Sequence, residues 1–125
     1  MDSKKKITVL HVEDDDAIRL SVDFALNHEG YEVYSATNGQ DALDFLSTRA
    51  NEIDLIFLDV MMPVMNGFTF CTEQAKDLNI ADIPVLIYSA DSRHKLTAEA
   101  MGHPFLSKPF NLTDLYSGIE KYVRK

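Results

Sequence analysis

Five short apolar runs, at residues 7 to 12, 31 to 35, 53 to 58, 84 to 88 and 104 to 107, alternate along this chain with longer segments of helical period. Near-continuous apolar strands need cover on both faces, and a helix after each strand supplies it, so the alternation predicts five βα units: an α/β fold with a doubly wound, five-stranded parallel sheet. At 125 residues and 46% apolar composition the chain has material for one core between two helical layers, hence one domain over residues 1–125.

The first helix opens near Asp15 and Asp16, sets Ile18, Val22, Ala25 and Leu26 on one face, and stops at Gly30, a residue suited to the left-handed position past a helix. The second runs from about 38 to 48 with Ala42, Leu43 and Leu46 at helical spacing. The third follows Asn66 and Gly67 and carries Phe68, Cys71, Ala75 and Leu78. Residues 91 to 101 read as a weak fourth helix, whose stripe of Leu96, Ala100 and Met101 is thin. The fifth covers about 112 to 123.

A net charge of −8 argues against a nucleic-acid surface, because such binding depends on Lys and Arg neutralising phosphates. The single cysteine, Cys71, cannot form an internal disulfide and reads as a small buried hydrophobe. The lysine-rich start is not followed by the apolar core of a signal peptide, and no apolar run approaches the roughly 20 residues needed to cross a bilayer. These features predict a cytoplasmic chain without membrane insertion.

Chemistry-bearing residues stand where the strands end: Glu13 and Asp14 after the first, Asp59 after the third, Ser89 after the fourth, Phe105 within the fifth and Lys108 with Pro109 at its close. In this arrangement, and in the loop Asp59-Val60-Met61-Met62-Pro63-Val64-Met65-Asn66-Gly67, the chain resembles the receiver domain of two-component response regulators, from about residue 6 to 123. The resemblance implies the flavodoxin-like strand order 2-1-3-4-5, which makes strands 1 and 3 neighbours and brings Glu13, Asp14 and Asp59 to one edge, where open α/β sheets bind ligands.

Carboxylates about 4 Å apart repel by roughly 4 kcal/mol per pair at an effective dielectric near 20, so such a cluster needs a cation or protons. All-oxygen ligands with a phosphoryl partner suit Mg²⁺, and no His/Cys spacing suits zinc. The resemblance implies that Asp14 and Asp59 bind the ion directly, Glu13 through water and Met61 through its backbone carbonyl. Asp59, a carboxylate expected to be ionised at neutral pH, is the implied nucleophile and phosphoacceptor, receiving a phosphoryl group from a histidine kinase or phosphotransfer protein. Lys108 neutralises the transferring group, aimed by a cis Lys108–Pro109 peptide; Ser89 hydrogen-bonds a phosphoryl oxygen, and Phe105 rotates inward behind it. Such a protein catalyses only its own modification, turns over no external substrate, and switches contacts with a downstream protein. A stand-alone, single-domain regulator is the expected organisation, though an excised receiver would look the same.

Several positions depart from the family pattern. Glu13 replaces a more common Asp, Phe105 lacks the hydroxyl of the frequent tyrosine, and the stretch from Ser89 to Lys108 is short by roughly one helical turn, about 5 Å. Its lead into strand 5, Met101-Gly102-His103-Pro104, is unusual. Met61 and Asp91 flank the path of a hydrolysing water, and an apolar Met61 predicts slow self-dephosphorylation. His11 reads as a hydrogen-bonded core histidine, and His28, His94 and His103 as surface or loop residues. Met61, Met62 and Met65 read as loop and core filling. Singly, Glu13-Asp14-Asp15-Asp16 also fits a solvated helix start, Asp59 a turn and Ser89 a helix cap; their joint placement favours a phosphoacceptor site. The main alternative is a receiver-like interaction module that is never phosphorylated. An aspartyl phosphatase is disfavoured because Asp59-Val60-Met61 lacks a second acid, and a flavodoxin because acids stand where a phosphate loop is needed.

Overall fold

A computed structural model describes residues 6–123; residues 1 to 5, where most of the reading of the N-terminus falls, lie outside it. The elements alternate as expected: β1 (Thr8–Val12), α1 (Asp16–His28), β2 (Glu32–Ala36), α2 (Gly39–Arg49), β3 (Leu55–Asp59), α3 (Gly67–Ala75), β4 (Val85–Ser89), α4 (His94–Ala100), β5 (Phe105–Ser107) and α5 (Leu112–Tyr122). All pairings are parallel and the strand order is β2-β1-β3-β4-β5. A short 3-10 turn, Ala50–Glu52, closes α2 and was not anticipated from the sequence.

Because side chains alternate across a strand, each central strand feeds two cores. Leu10, Val12, Ile56, Leu58, Val85 and Ile87 pack with Ala42, Leu46, Phe70, Cys71 and Ala98 on one side. Val9, Leu55, Phe57, Leu86 and Tyr88 pack with Val22, Leu26, Leu115 and Ile119 on the other. The same alternation sends His11 and Tyr88 toward α1 and α5, and Ser89 toward α4.

Helix starts are built by side-chain caps at the C-terminal edge of the sheet. Asp15, Asn38, Asn66 and Asn111 accept hydrogen bonds from the backbone N–H of Ile18, Asp41, Thr69 and Asp114. Gly30, with φ of 103°, ends α1 in the left-handed region as expected. Two helices depart from the sequence reading. α3 stops at Ala75, so Leu78 lies beyond it and is 91% exposed; the buried positions are Gly67, Phe70, Cys71 and Gln74. Gln74 satisfies its amide by donating to the carbonyls of Ile80 and Ile83, at 2.9 and 3.0 Å. In α4 the stripe of Leu96, Ala100 and Met101 is exposed, and Ala98 is the buried residue. Seven residues make fewer than two full turns, and such a helix can bury only one small side chain while its longer apolar groups face out.

Candidate phosphoacceptor site

Parallel pairing of β1 with β3 and β3 with β4 sets the first half of the site. His11 pairs with Phe57, and Asp59 with Tyr88, so the residues that follow β1 emerge beside the end of β3. Glu13, Asp14 and Asp59 each offer a carboxylate oxygen within 4.8 Å of the others. Glu13 and Asp59 are buried, at 1% and 2% exposure, while Asp14 faces solvent. β5 delivers the cation: the Lys108 N–H donates to the Ser89 carbonyl at 2.9 Å, and Nζ stands 3.5 Å from Glu13 Oε1 and 3.7 Å from Asp59 Oδ1. The Lys108–Pro109 peptide is cis, as the resemblance implied.

Asp59 Oδ1 is buried with no hydrogen-bond partner among the described residues. Burial, and next the Glu13 carboxylate, push Asp59 up to about 7, against a counter-pull from Lys108. This corrects the picture of a simply ionised carboxylate: the pocket holds more negative charge than one lysine offsets. Its donor set is all oxygen and its central acceptor lacks a partner, which fits a divalent cation of the magnesium type. Met61, exposed at its side chain, follows directly in the loop that starts from Asp59.

That loop is tightly seated. A Cβ on Gly67 would fall 2.7 Å from the Asp59 carbonyl oxygen and 2.9 Å from Val60 Cα, so only glycine lets α3 start against the end of β3. From the other side, the Gly39 N–H donates to the Met65 carbonyl at 3.2 Å, and a Cβ on Gly39 would meet Met65 Cγ at 2.8 Å and its carbonyl oxygen at 2.9 Å. Met62 and Met65 fill the core here, as read from the sequence. Val64 occupies the left-handed region at φ of 69°, uncommon for a β-branched residue.

Two further features reach the site. Tyr88 donates to Glu13 Oε1 at 2.6 Å, its hydroxyl lies 2.7 Å from His11 Nε2, and His11 Nδ1 lies 2.8 Å from Asp23 Oδ1. Ser35 hydrogen-bonds the other Asp23 oxygen. The Asp15 N–H donates to Glu13 Oε2 at 3.1 Å, so both oxygens of Glu13 are engaged. His11 is thus the hydrogen-bonded core histidine expected, while Tyr88 was not foreseen; its signal lay in the matched parity of His11, Phe57 and Tyr88 on adjacent strands. Burial, then Glu13, hold the Tyr88 phenol far above its ordinary value, so it stays a donor.

Ser89 is fully buried, and its hydroxyl is shared between His94 Nδ1 at 2.8 Å and the Asp91 N–H at 3.1 Å. His94, which the sequence suggests is a surface or loop residue, instead opens α4 and contacts Ser89 of the site. It packs edge-on against Phe68 with ring centres 5.4 Å apart. Asp91 is held by Arg93, whose backbone N–H and guanidinium donate to it at 2.6 to 2.9 Å and keep its carboxyl well below the usual range. Phe105 is half-buried against the α4-side core, and Pro104 precedes β5 with its carbonyl accepting from Ile87 N–H at 3.0 Å.

A family profile for the response regulator receiver domain matches residues 9–120. The chain belongs to the response regulator receiver family. Among solved structures, this receiver superposes on the chemotaxis protein CheY4 of Vibrio cholerae with a TM-score of 0.85 at 31% identity, covering 95% of this chain and 100% of that one. The response regulator MprA of Mycobacterium sp. (strain KMS) is 34% identical over 122 residues, 95% of this receiver and 51% of that protein. The sensor kinase CckA of Brucella abortus (strain 2308) is 38% identical over 120 residues, 94% of this receiver and 13% of the kinase. The receiver thus spans about half the length of the curated regulators it matches and a small part of the kinase. Among the described residues no helix is long and apolar enough to cross a membrane.

Proposed function

We propose that this receiver accepts a phosphoryl group on Asp59 from a phosphohistidine of a histidine kinase or phosphotransfer protein, in a Mg²⁺-dependent step that switches its contacts with a downstream protein. A single observation carries the reading: Asp59 Oδ1 is buried without a hydrogen-bond partner among the described residues, 3.7 Å from the Lys108 ammonium. An Asp59 carboxylate oxygen bonds to phosphorus as the donor's N–P bond breaks, and that electron pair stays on the donor nitrogen. Asp14, Asp59, the Met61 carbonyl and, through water, Glu13 would hold Mg²⁺, which when bound offsets charge between the carboxylates and the phosphoryl oxygens.

Lys108 neutralises a phosphoryl oxygen on one side, and the Ser89 hydroxyl donates to another. With roughly two added negative charges, the product biases the β4–α4 segment, and Phe105 moves inward where Ser89 is drawn toward the phosphate. Beside Lys108 an apolar groove of about 620 Å³, lined by Ile18, Val22, Ala25, Ala90, Phe110 and Leu112, offers a seat for the helix that bears the donor histidine.

Intact-mass measurement after incubation with acetyl phosphate tests this reading. A gain of one phosphoryl group that requires Mg²⁺ and is lost in Asp59→Asn is expected. Absence of both the gain and Mg²⁺ binding would overturn it in favour of a phosphorylation-independent interaction module.

A further inference from the structure

The Ser89 hydroxyl has one hydrogen and two acceptor sites, and its surroundings in this fold nearly exhaust them. One acceptor site takes the Asp91 N–H at 3.1 Å. The remaining protein contact, at 2.8 Å, is His94 Nδ1, an atom that either accepts or donates according to where the imidazole carries its hydrogen. If Nδ1 accepts, Ser89 spends its only hydrogen on α4 and has none for a phosphoryl oxygen. If Nδ1 carries a hydrogen, it donates to Ser89, both acceptor sites are filled, and the hydroxyl hydrogen is left for an acceptor outside this pair.

We propose that His94 is the positioning residue of the Ser89 hydroxyl, its Nδ1–H form turning the serine hydrogen toward a phosphoryl group on Asp59 and its Nδ1-acceptor form turning it into α4. This rests on the reading of Asp59 as phosphoacceptor and adds a residue to that site. Three observations place His94 for the role. Its ring is fixed by the edge-on contact with Phe68 on α3, 5.4 Å between centres. Its Nε2 lies 4.0 Å from Asp91 Oδ2, beyond hydrogen-bond reach, so that carboxylate does not pin the ring hydrogen to Nε2. It is the first residue of a seven-residue helix whose single buried side chain is Ala98, so the Ser89 bond ties the start of α4 directly to the end of β4. The occupancy of the site is thereby linked to the seating of α4 through one hydrogen.

Nitrogen-15 spectra of histidine-labelled protein at constant pH, with Mg²⁺ and with or without beryllofluoride as a phosphoryl stand-in, test the proposal. Beryllofluoride is expected to move the His94 Nδ1 resonance upfield, from the acceptor range to the protonated range. Ser89→Ala at saturating beryllofluoride is expected to lose that shift, and Ser89→Thr, which keeps the hydroxyl, to retain it. An unmoved Nδ1 in the wild type while the Asp59 amide reports binding would overturn the inference alone, as would a shift that persists in Ser89→Ala or vanishes in Ser89→Thr. No perturbation around Asp59 in the wild type would overturn the phosphoacceptor reading and this inference with it.

Discussion

The phenol of Tyr88 on β4 reaches across β3 to Glu13 Oε1 at 2.6 Å and fixes the first acidic residue of the site. Glu13 has one more methylene than aspartate, and a longer side chain needs an anchor if its carboxylate is to stay in place. Hydrogen bonds to charged groups contribute about 1.5–3 kcal/mol, and a buried carboxylate left without its donor costs on that scale. Tyr88→Phe should therefore lower unfolding free energy by about 2 kcal/mol in urea titrations. Calorimetric Mg²⁺ titration of the same variant should show weaker binding, because Glu13 Oε1 loses its hydrogen-bond donor and the carboxylate is held chiefly by the Asp15 N–H on Oε2.

Stability without metal should depend on Asp59. Its folded value, about 7, lies above its ordinary 3.8. A raised carboxyl favours the folded state while protonated, so this contribution is present at low pH and is lost as pH climbs from about 4 through 7. At about 1.4 kcal/mol per unit, metal-free protein should be less stable at pH 8 than at pH 5.5 by on the order of 2 kcal/mol. Asp59→Asn should flatten that dependence, and Mg²⁺ at pH 8 should restore stability to the wild type and not to the variant. Urea midpoints at the two pH values, with chelator or Mg²⁺, provide the check.

Gly67→Ala should be costly. The added Cβ would meet backbone atoms, 2.7 Å from the Asp59 carbonyl and 2.9 Å from Val60 Cα, and backbone cannot move aside as a side-chain tip can. Overpacking of this kind costs about 1–3 kcal/mol, so the melting temperature should fall, and phosphoryl uptake from acetyl phosphate should fall with it.

Met61→Asn should shorten the life of the acyl phosphate. Met61, two residues after Asp59, is 64% exposed and brings no group that can orient water, while Asp91 is already engaged by Arg93. An amide at position 61 can hydrogen-bond an attacking water. Following loss of the phosphoryl mass over time should show faster decay in the variant; an unchanged half-life would assign the control of hydrolysis elsewhere.

Much of this molecule can be read from the chain. Strand-length apolar runs alternating with helical segments lead to the five βα units, and Asn38, Asn66 and Gly30 mark helix boundaries the structure keeps. Glu13, Asp14, Asp59 and Lys108 are brought together because parallel neighbours release their following residues at one edge. What escapes is the direction of side chains in strands buried on both faces. Tyr88 and Ser89 are adjacent and both polar, yet one faces α1 and α5 and the other faces α4, and continuous burial leaves no alternation to show it. Leu78 reads as part of a helical face because the apolar period outlasts α3, and Leu96 does so because a helix of seven residues has too few positions for its period to be diagnostic.

The fit of Gly39 against Met65 couples two parts of the chain with no shared chemistry. Trimming Met65 could relieve the approach to Cγ, but the 2.9 Å approach to its carbonyl oxygen would remain for any residue larger than glycine at 39. Position 39 therefore acts as a gauge for the segment that leaves Asp59: a methyl group there would displace the loop from outside the pocket. Sequence drift at a position that adds no group to the acidic cluster would in this way disturb the segment after Asp59 while Glu13, Asp14 and Asp59 are all retained.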